Sequence, residues 1–133
     1  MMLPRWRHLG LLALLVLGSC SASYRVRFEV TLAPGLDVPE GASVVAMALE
    51  YDGPLSSAVG GKSTKASADR RVYTLEEGVC CAPDPKVRLH AFLDLDGDGQ
   101  WSEGEPHGAD PRNPIVLRDP KEVFASSIEI AAP

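Results

Sequence analysis

The stretch YRVRFEVTL, residues 24–32, alternates apolar and polar side chains over its whole length. Successive side chains of a β-strand point to opposite faces, so this period of two predicts a strand with one buried face and one solvent-exposed face. The apolar set consists of Tyr24, Val26, Phe28, Val30 and Leu32. The run Ala33-Pro34-Gly35 ends the strand, because proline lacks a backbone donor and glycine favours turns.

Further strands are predicted downstream. Residues 43–51 carry Val45, Met47, Leu49 and Tyr51 on one face and Val44, Ala46 and Ala48 on the other, which predicts burial on both sides. Two short strands are predicted at residues 70–75 and 115–117, and two longer ones at residues 87–94 and 121–130. Residues 54–69 are predicted to form a mobile loop with room for one short edge strand, and residues 76–85 a connector. Because proline and glycine turns separate the strands and no long 3.6-residue period occurs, we expect an all-β chain folded as one antiparallel β-sandwich of about seven strands.

The N-terminus has the layout of a secretory signal peptide. Arg5 and Arg7 give it a positive start, residues 11–17 form an apolar core, and Gly18 and Ser19 are small residues at a cleavage site. A transmembrane helix needs roughly 20 apolar residues, so this core is too short to span a bilayer.

The run Leu17-Gly18-Ser19-Cys20 resembles the lipobox of bacterial lipoproteins. In that family the cysteine thiol is diacylated, the chain is cut before the cysteine, and the new amine is acylated. The resemblance implies a lipidated Cys20 and an anchor in the membrane of a bacterial cell envelope, since acyl chains contribute about 0.8 kcal/mol per buried CH₂. In the same family, Ser21 in place of aspartate favours the outer over the inner membrane. The predicted parts are a signal peptide (1–19), a lipidated N-terminus with a short tether (20–23) and the sandwich (24–133).

Charge and missing motifs exclude several functions. The formal net charge is −5, and cleavage of the leader would also remove Arg5 and Arg7, so binding to nucleic acid or to an anionic membrane surface is disfavoured. The sequence has no P-loop, no nucleophile elbow and no dinucleotide fingerprint, and no nucleophile has a recognisable base beside it. We therefore expect no enzymatic activity and a protein or glycan partner that the sequence does not name.

The strongest chemical signal is DLDGDGQWSEGE, residues 94–105. It matches the twelve-residue calcium loop of EF-hands at every ligand position, because oxygen donors and a turn glycine recur where a hard cation needs the chain to wrap around it. The predicted calcium ligands are Asp94, Asp96, Asp98, the carbonyl of Gln100, Ser102 through a water, and Glu105. Without a cation, unit charges about 5 Å apart repel by roughly 3 kcal/mol at an effective dielectric of 20. A solvated Asp-Gly hairpin turn and a site for another metal remain the alternative interpretations.

The flanks of this loop differ from those of an EF-hand, since residues 87–93 alternate as a strand and a proline follows Glu105. The run VRLHAFLDLDGDG, residues 87–99, resembles the end of transthyretin-like, carboxypeptidase-regulatory-like and adhesin B-type domains, and Gly104-Glu105-Pro106 matches their usual Gly-Glu-Pro ending. The resemblance implies an Ig-like or transthyretin-like sandwich and a bound ion, but no reaction.

Cys80 and Cys81 are adjacent, and three interpretations stay open for them. They form a vicinal disulfide, or they bind a soft metal such as copper(I) together with His90 or His107, or they are unpaired or bonded elsewhere. The predicted function is a non-enzymatic, membrane-anchored envelope lipoprotein whose calcium loop belongs to a binding or structural module. The alternative is a periplasmic redox or copper-handling protein that uses the two cysteines.

Overall fold

A computed structural model of the chain describes residues 23–51, 58–80 and 83–133, which form two β-sheets. The strands are β1 (Tyr24–Leu32), β2 (Ser43–Glu50), β3 (Ala58–Lys65), β4 (Val72–Val79), β5 (Lys86–Asp94), β6 (His107–Ala109), β7 (Ile115–Val116) and β8 (Val123–Ile130). The signal peptide predicted for residues 1–19 and the lipidated Cys20 lie outside the described residues. Within the described ranges, no helix is long and apolar enough to cross a membrane.

The smaller sheet has β1 at its centre, in the order β4-β1-β8. β1 pairs antiparallel with β4, where Phe28 stands opposite Leu75, and parallel with β8, where Phe28 stands opposite Ser126. β1 and β8 are not joined by a hairpin, so the connection between them does not force an antiparallel arrangement.

The larger sheet has the order β3-β2-β5-β6, and β7 also pairs with β5. All of its pairs are antiparallel. The predicted all-β sandwich is confirmed. The described residues form eight strands where about seven were expected, and β1 and β8 are a parallel pair.

The core lies between the two sheets and uses the strand faces that the alternation predicts. The five apolar side chains of β1 are all buried, at no more than 6% exposure. The larger sheet contributes Val44, Ala46 and Ala48 from β2 and Val87, Leu89, Ala91 and Leu93 from β5. Full burial of a valine, leucine or phenylalanine side chain contributes about 1.5–3 kcal/mol, so this layer is the main source of stability.

Strand β2 is buried on both faces, as its sequence predicts. Val45 and Leu49 alternate with the core residues, yet they are only 7% and 5% exposed. On the neighbouring strand, Phe92 stands opposite Val45 and is 2% exposed. The outer side of the larger sheet therefore also holds buried apolar side chains, although Met47 on the same face is only half-buried.

Strand β4 is longer than its sequence predicts. The expected connector over residues 76–85 is wrong for its first part, because β4 continues to Val79. Residues 76–78 are glutamate or glycine, which are depleted in strands, but they pair with residues 25–27 of β1. Pairing with a central strand that is distant in the sequence determines their conformation, so the local amino-acid composition does not predict this part of β4.

Strands β3 and β6 also differ from the prediction. The edge strand allowed for within residues 54–69 is present on β2, but it covers eight residues, 58–65, and leaves less of the segment as loop than expected. A Cβ at Gly60 would lie 2.5 Å from the carbonyl oxygen of Gly78, so the glycine lets β3 approach β4 of the other sheet. β6, at residues 107–109, is too short to show a period of two.

The two ends of the sandwich differ in what they carry. β1, β5 and β8 end at the same end, which we call the distal pole and which consists of residues 33–42, 66–71 and 94–106. The opposite end, where β1 begins, is the proximal pole, residues 83–85 and 117–122. At a rise of about 3.3 Å per residue, β1 separates the two poles by roughly 26 Å.

Candidate metal site

The acidic loop, residues 94–105, joins β5 to β6 at the distal pole. Both of its ends are held by strand pairing. Asp94 stands opposite Ser43 of β2, and the Leu93 N–H donates a hydrogen bond to the Pro106 carbonyl at 2.9 Å. The first carboxylate of the loop is therefore carried by a central strand of the larger sheet and not by a free turn.

Asp94 is 4% exposed, and both of its carboxylate oxygens accept hydrogen bonds from the loop backbone. Oδ1 accepts from the Gly97 N–H at 3.0 Å and Oδ2 from the Gly99 N–H at 2.9 Å. Both glycines have a φ near +75°, specifically 76° and 74°, which glycine adopts without the strain that a side chain would bring. Burial acts to raise the pKa of Asp94, but the hydrogen bonds from Gly99 and its neighbours outweigh it and hold the pKa below 3.8.

Asp96 and Asp98 are exposed and lie beside Asp94. One carboxylate oxygen from each of the three aspartates lies within 4.8 Å of the other two. Calcium–oxygen distances are about 2.3–2.6 Å, so ligands on opposite sides of one ion stand roughly 5 Å apart. The spacing of the three carboxylates fits a single calcium ion.

The same closeness makes the cluster electrostatically unfavourable on its own. The side chains of Asp98 and Asp94 raise the pKa of Asp96, because a proton shared between neighbouring carboxylates relieves their repulsion. The sequence contains no lysine or arginine between Arg88 and Arg112 that could neutralise the loop locally. A divalent cation is the simplest source of the missing positive charge.

Glu105 is 5% exposed and connects the start of the loop to its end. Its Oε2 accepts from the Leu95 N–H and its Oε1 from the Ser102 N–H, each at 2.7 Å. Among the described residues, the carboxylates gathered within 4.8 Å are the three aspartates, and Glu105 is not one of them. The Gln100 N–H donates to Asp98 at 2.9 Å. The roles of Gln100, Ser102 and Glu105 as calcium ligands stay predictions.

Trp101 and His107 pack against each other beside the acidic loop. Their rings meet edge to face, with centroids 5.1 Å apart. The indole Nε1 donates to the Glu105 carbonyl at 3.1 Å, and the side chain is 47% exposed. Trp101 is therefore placed to report changes in the loop by its fluorescence.

The copper-binding hypothesis depends on two thiolates and a histidine. Cys80 is disulfide-bonded, and Cys81 lies outside the described residues, so the pairing of these two cysteines stays a prediction. A disulfide sulfur is not a thiolate, so Cys80 in this state offers no soft-metal ligand. Burial lowers the pKa of His90, and electrostatic interactions with Arg88 and His107 act in the same direction.

A second polar cluster forms around Asp110, which no sequence motif indicates. Asp110 is 1% exposed and accepts hydrogen bonds from the Arg112 guanidinium at 2.8 and 3.0 Å and from Ser126 Oγ at 2.8 Å. Burial acts to raise the pKa of Asp110, but these bonds hold it below 3.8. The one local signal is Ser126, a polar residue on the apolar face of β8. Because the carboxylate is fully paired, the cluster ties the chain after β6 to β8 and presents no free reactive group.

Neither a protein family nor a curated protein matches this sequence. The fold is similar to a solved structure described as an alternative pilotin from the type II secretion system of Vibrio cholerae, with a TM-score of 0.57 and 9% sequence identity. The similarity covers 84% of this chain and 97% of the pilotin chain. At this level of identity the comparison establishes the architecture alone: the chain shares the fold of that pilotin.

Proposed function

We propose that this chain is a non-enzymatic lipoprotein of the bacterial envelope, anchored through Cys20, with a calcium-binding loop at the distal pole. The observation that carries the calcium part is the convergence of Asp94, Asp96 and Asp98 within 4.8 Å, with Asp94 buried at the end of a central strand. Calcium supplies the charge that the aspartates lack, and its flexible coordination suits ligands drawn from one loop.

Binding of calcium to the folded chain alone raises stability by mass action. At a free calcium concentration 100 times the dissociation constant, the free energy of unfolding rises by about 2.7 kcal/mol. Sites in extracellular modules commonly have dissociation constants of about 0.1–1 mM, and a site with two exposed aspartates belongs in that range. The ion then acts as a structural part of the distal pole and not as a reagent.

Calorimetric titration of the full chain with calcium, in detergent micelles after chelator treatment, tests this proposal. We expect one calcium ion per chain, with a dissociation constant of about 0.1–1 mM. Magnesium in a matched titration should bind more weakly, because it demands a tight octahedral shell and dehydrates reluctantly. The absence of any saturable heat up to about ten times that range would contradict the calcium site.

The anchor is supported by the lipobox-like run at residues 17–20 and by the position of the fold, whose first strand begins at Tyr24. The fold similarity to a protein of a type II secretion system also agrees with a role in the envelope. With Ser21 after the cysteine, the proposal favours the outer membrane. The partner is then a protein or glycan that this protein meets while tethered.

Replacing Cys20 with serine is expected to release the protein from bacterial membranes, because a hydroxyl does not take the place of the thiol that carries the lipid. Fractionation should move the chain from the membrane pellet to the soluble fraction, and incorporation of a labelled fatty acid should disappear. Ser21→Ala is the matched control and should leave both readouts unchanged. Membrane retention with continued labelling in Cys20→Ser would remove the lipoprotein claim.

A further inference from the structure

An open groove lies at the distal pole, between the segment that follows β1 and the acidic loop. Its volume is about 480 Å³, and apolar residues form most of its wall: Ala33, Pro34, Leu36, Pro39, Leu95 and Pro106. Pockets that hold ligands commonly enclose about 300–1,000 Å³. The groove is therefore large enough for one or two bulky apolar side chains of a partner.

Leu95 leaves an apolar side chain exposed to solvent in this groove, which is energetically unfavourable unless a partner covers it. Its side chain is 45% exposed, although Asp94 and Asp96 are its neighbours in the chain. The loop uses the backbone N–H of Leu95, which donates to Glu105, so the loop itself does not require an apolar side chain here. An apolar surface bordered by charged residues is typical of a protein interaction site.

The distal pole is also strongly acidic. Its three segments carry eight acidic residues and two basic ones. The acidic residues are Asp37, Glu40, Asp69, Asp94, Asp96, Asp98, Glu103 and Glu105, and the basic residues are Arg70 and Arg71. The excess of six negative charges is larger than the formal net charge of the whole chain, −5, and the proposed calcium ion would leave an excess of four. Such a concentration of one sign attracts a partner of the opposite sign and repels an acidic one.

The groove also faces away from the anchor. Tyr24 follows Cys20 closely and begins β1, whereas the groove lies beyond the end of β1, roughly 26 Å further along. The Debye length at physiological ionic strength is about 8 Å, so the charged surface of the anchoring membrane does not reach the groove. The occupant is therefore something that approaches from the side opposite the membrane.

We propose that this groove docks a segment of a partner protein in which one or two bulky apolar side chains are flanked by lysine or arginine. The apolar side chains fill the groove, and the flanking cations face the carboxylates of the distal pole. This inference rests on the proposed lipid anchor for the direction in which the pole points, but its chemistry does not require the calcium ion. Asp37 lines the groove and Glu40 lies one residue beyond Pro39, and both are outside the calcium loop.

The test measures binding of labelled synthetic peptides by fluorescence anisotropy to the lipidated protein in phosphatidylcholine nanodiscs. The probe peptide has Lys-Lys-Phe-Leu-Lys-Lys at its centre. One matched peptide has glutamate in place of every lysine, and the other has serine in place of phenylalanine and leucine. We expect saturable binding of the probe and at least tenfold weaker binding of both matched peptides, since each lacks one of the two complementary features.

Substitutions in and away from the groove test whether the probe peptide binds there. Leu95→Ala should weaken binding of the probe about fivefold, because it removes half-buried apolar contact area. The double variant Asp37→Asn, Glu40→Gln should weaken it about threefold or more at low salt, and this effect should shrink as salt is added. The matched controls are Val123→Ala and the pair Glu50→Gln, Glu122→Gln, which lie away from the distal pole and should leave the affinity unchanged.

The outcome separates this inference from the calcium proposal. Binding that persists in chelator and still responds to Leu95→Ala supports the groove even if calorimetry finds no calcium site. Equal binding of the acidic and basic peptides, or equal losses in the distal variants and the control variants, would overturn the groove as the docking site. A calcium site found by calorimetry would stand in either case.

Discussion

Replacing Asp94 with alanine is expected to abolish the rise in melting temperature that calcium gives the wild-type protein. The wild-type rise should be roughly 10 °C at saturating calcium, from about 2.7 kcal/mol at 100 times the dissociation constant and about 4 °C per kcal/mol for a domain of about 110 residues. Asp94 contributes the buried member of the three-carboxylate cluster. Its removal also frees the N–H groups of Gly97 and Gly99, so the melting temperature without calcium should fall as well.

The comparison therefore uses the difference between melting temperatures with calcium and with chelator, measured for each variant. Asp98→Asn gives a gentler perturbation, because an amide oxygen can still accept the Gln100 N–H while the charge is lost. It should reduce the calcium-induced rise, and in chelator it should raise the melting temperature slightly, because it removes one of the mutually repelling charges. Glu103→Gln removes a charge from an exposed position of the same loop that no ligand assignment uses, and should leave the rise intact. An undiminished rise in Asp94→Ala would exclude this loop as the site.

Strand β1 could be predicted from the sequence because all of its information is local. Five apolar residues at a period of two specify which face is buried, and a proline-glycine turn specifies the end. The second half of β4 could not be predicted in this way. Its residues 76–78 become a strand only because β1 lies beside them, and that neighbour is about fifty residues away in the chain. β6 depends in the same way on its pairing with β5.

The candidate metal site also has one part that the sequence predicts and another part that it does not. The positions of Asp94, Asp96 and Asp98 follow from their spacing, since a loop that turns at glycines directs alternate residues toward one centre. The hydrogen bonds of Glu105 could not be predicted from the spacing, because they depend on the folded shape of the loop. Its two carboxylate oxygens accept backbone N–H groups from near the start and near the end of the loop. The pole at which the loop lies depends on the direction of β5 in the assembled sandwich, which no local pattern encodes.

The hydrogen-bonded cluster at Asp110 combines residues that are near in the sequence with one that is distant. Asp110 and Arg112 are near in sequence, but the third member, Ser126, comes from β8. A buried carboxylate without these partners would be strongly unfavourable, so the three residues stabilise the structure only as a set. An aspartate followed two residues later by an arginine is common in loops, and sequence alone does not indicate that the carboxylate is buried.

Replacing Gly108 with alanine is expected to destabilise the protein severely, by about 3 kcal/mol or more. A Cβ at this position would overlap the carbonyl oxygen of Glu129 and lie 2.8 Å from its carbonyl carbon. β6 cannot move away freely, because the backbones of His107 and Ala131 exchange two hydrogen bonds at 3.1 and 3.2 Å. The variant must either lose these hydrogen bonds or strain the backbone. Overpacking costs about 1–3 kcal/mol, and each lost hydrogen bond costs about 1 kcal/mol.

Thermal unfolding in chelator should therefore show a melting temperature at least roughly 10 °C below that of the wild type. Gly78→Ala is the matched control, because it also adds one methyl group to a strand glycine but meets nothing within 4 Å. Alanine should be neutral or slightly stabilising there, since it restricts the unfolded chain. β6 follows the acidic loop directly, so displacing it in Gly108→Ala should also weaken calcium binding, whereas Gly78→Ala should not. Equal melting temperatures for the two variants would show that β6 and β8 are not held in close contact, and would contradict the close approach of Gly108 to Glu129.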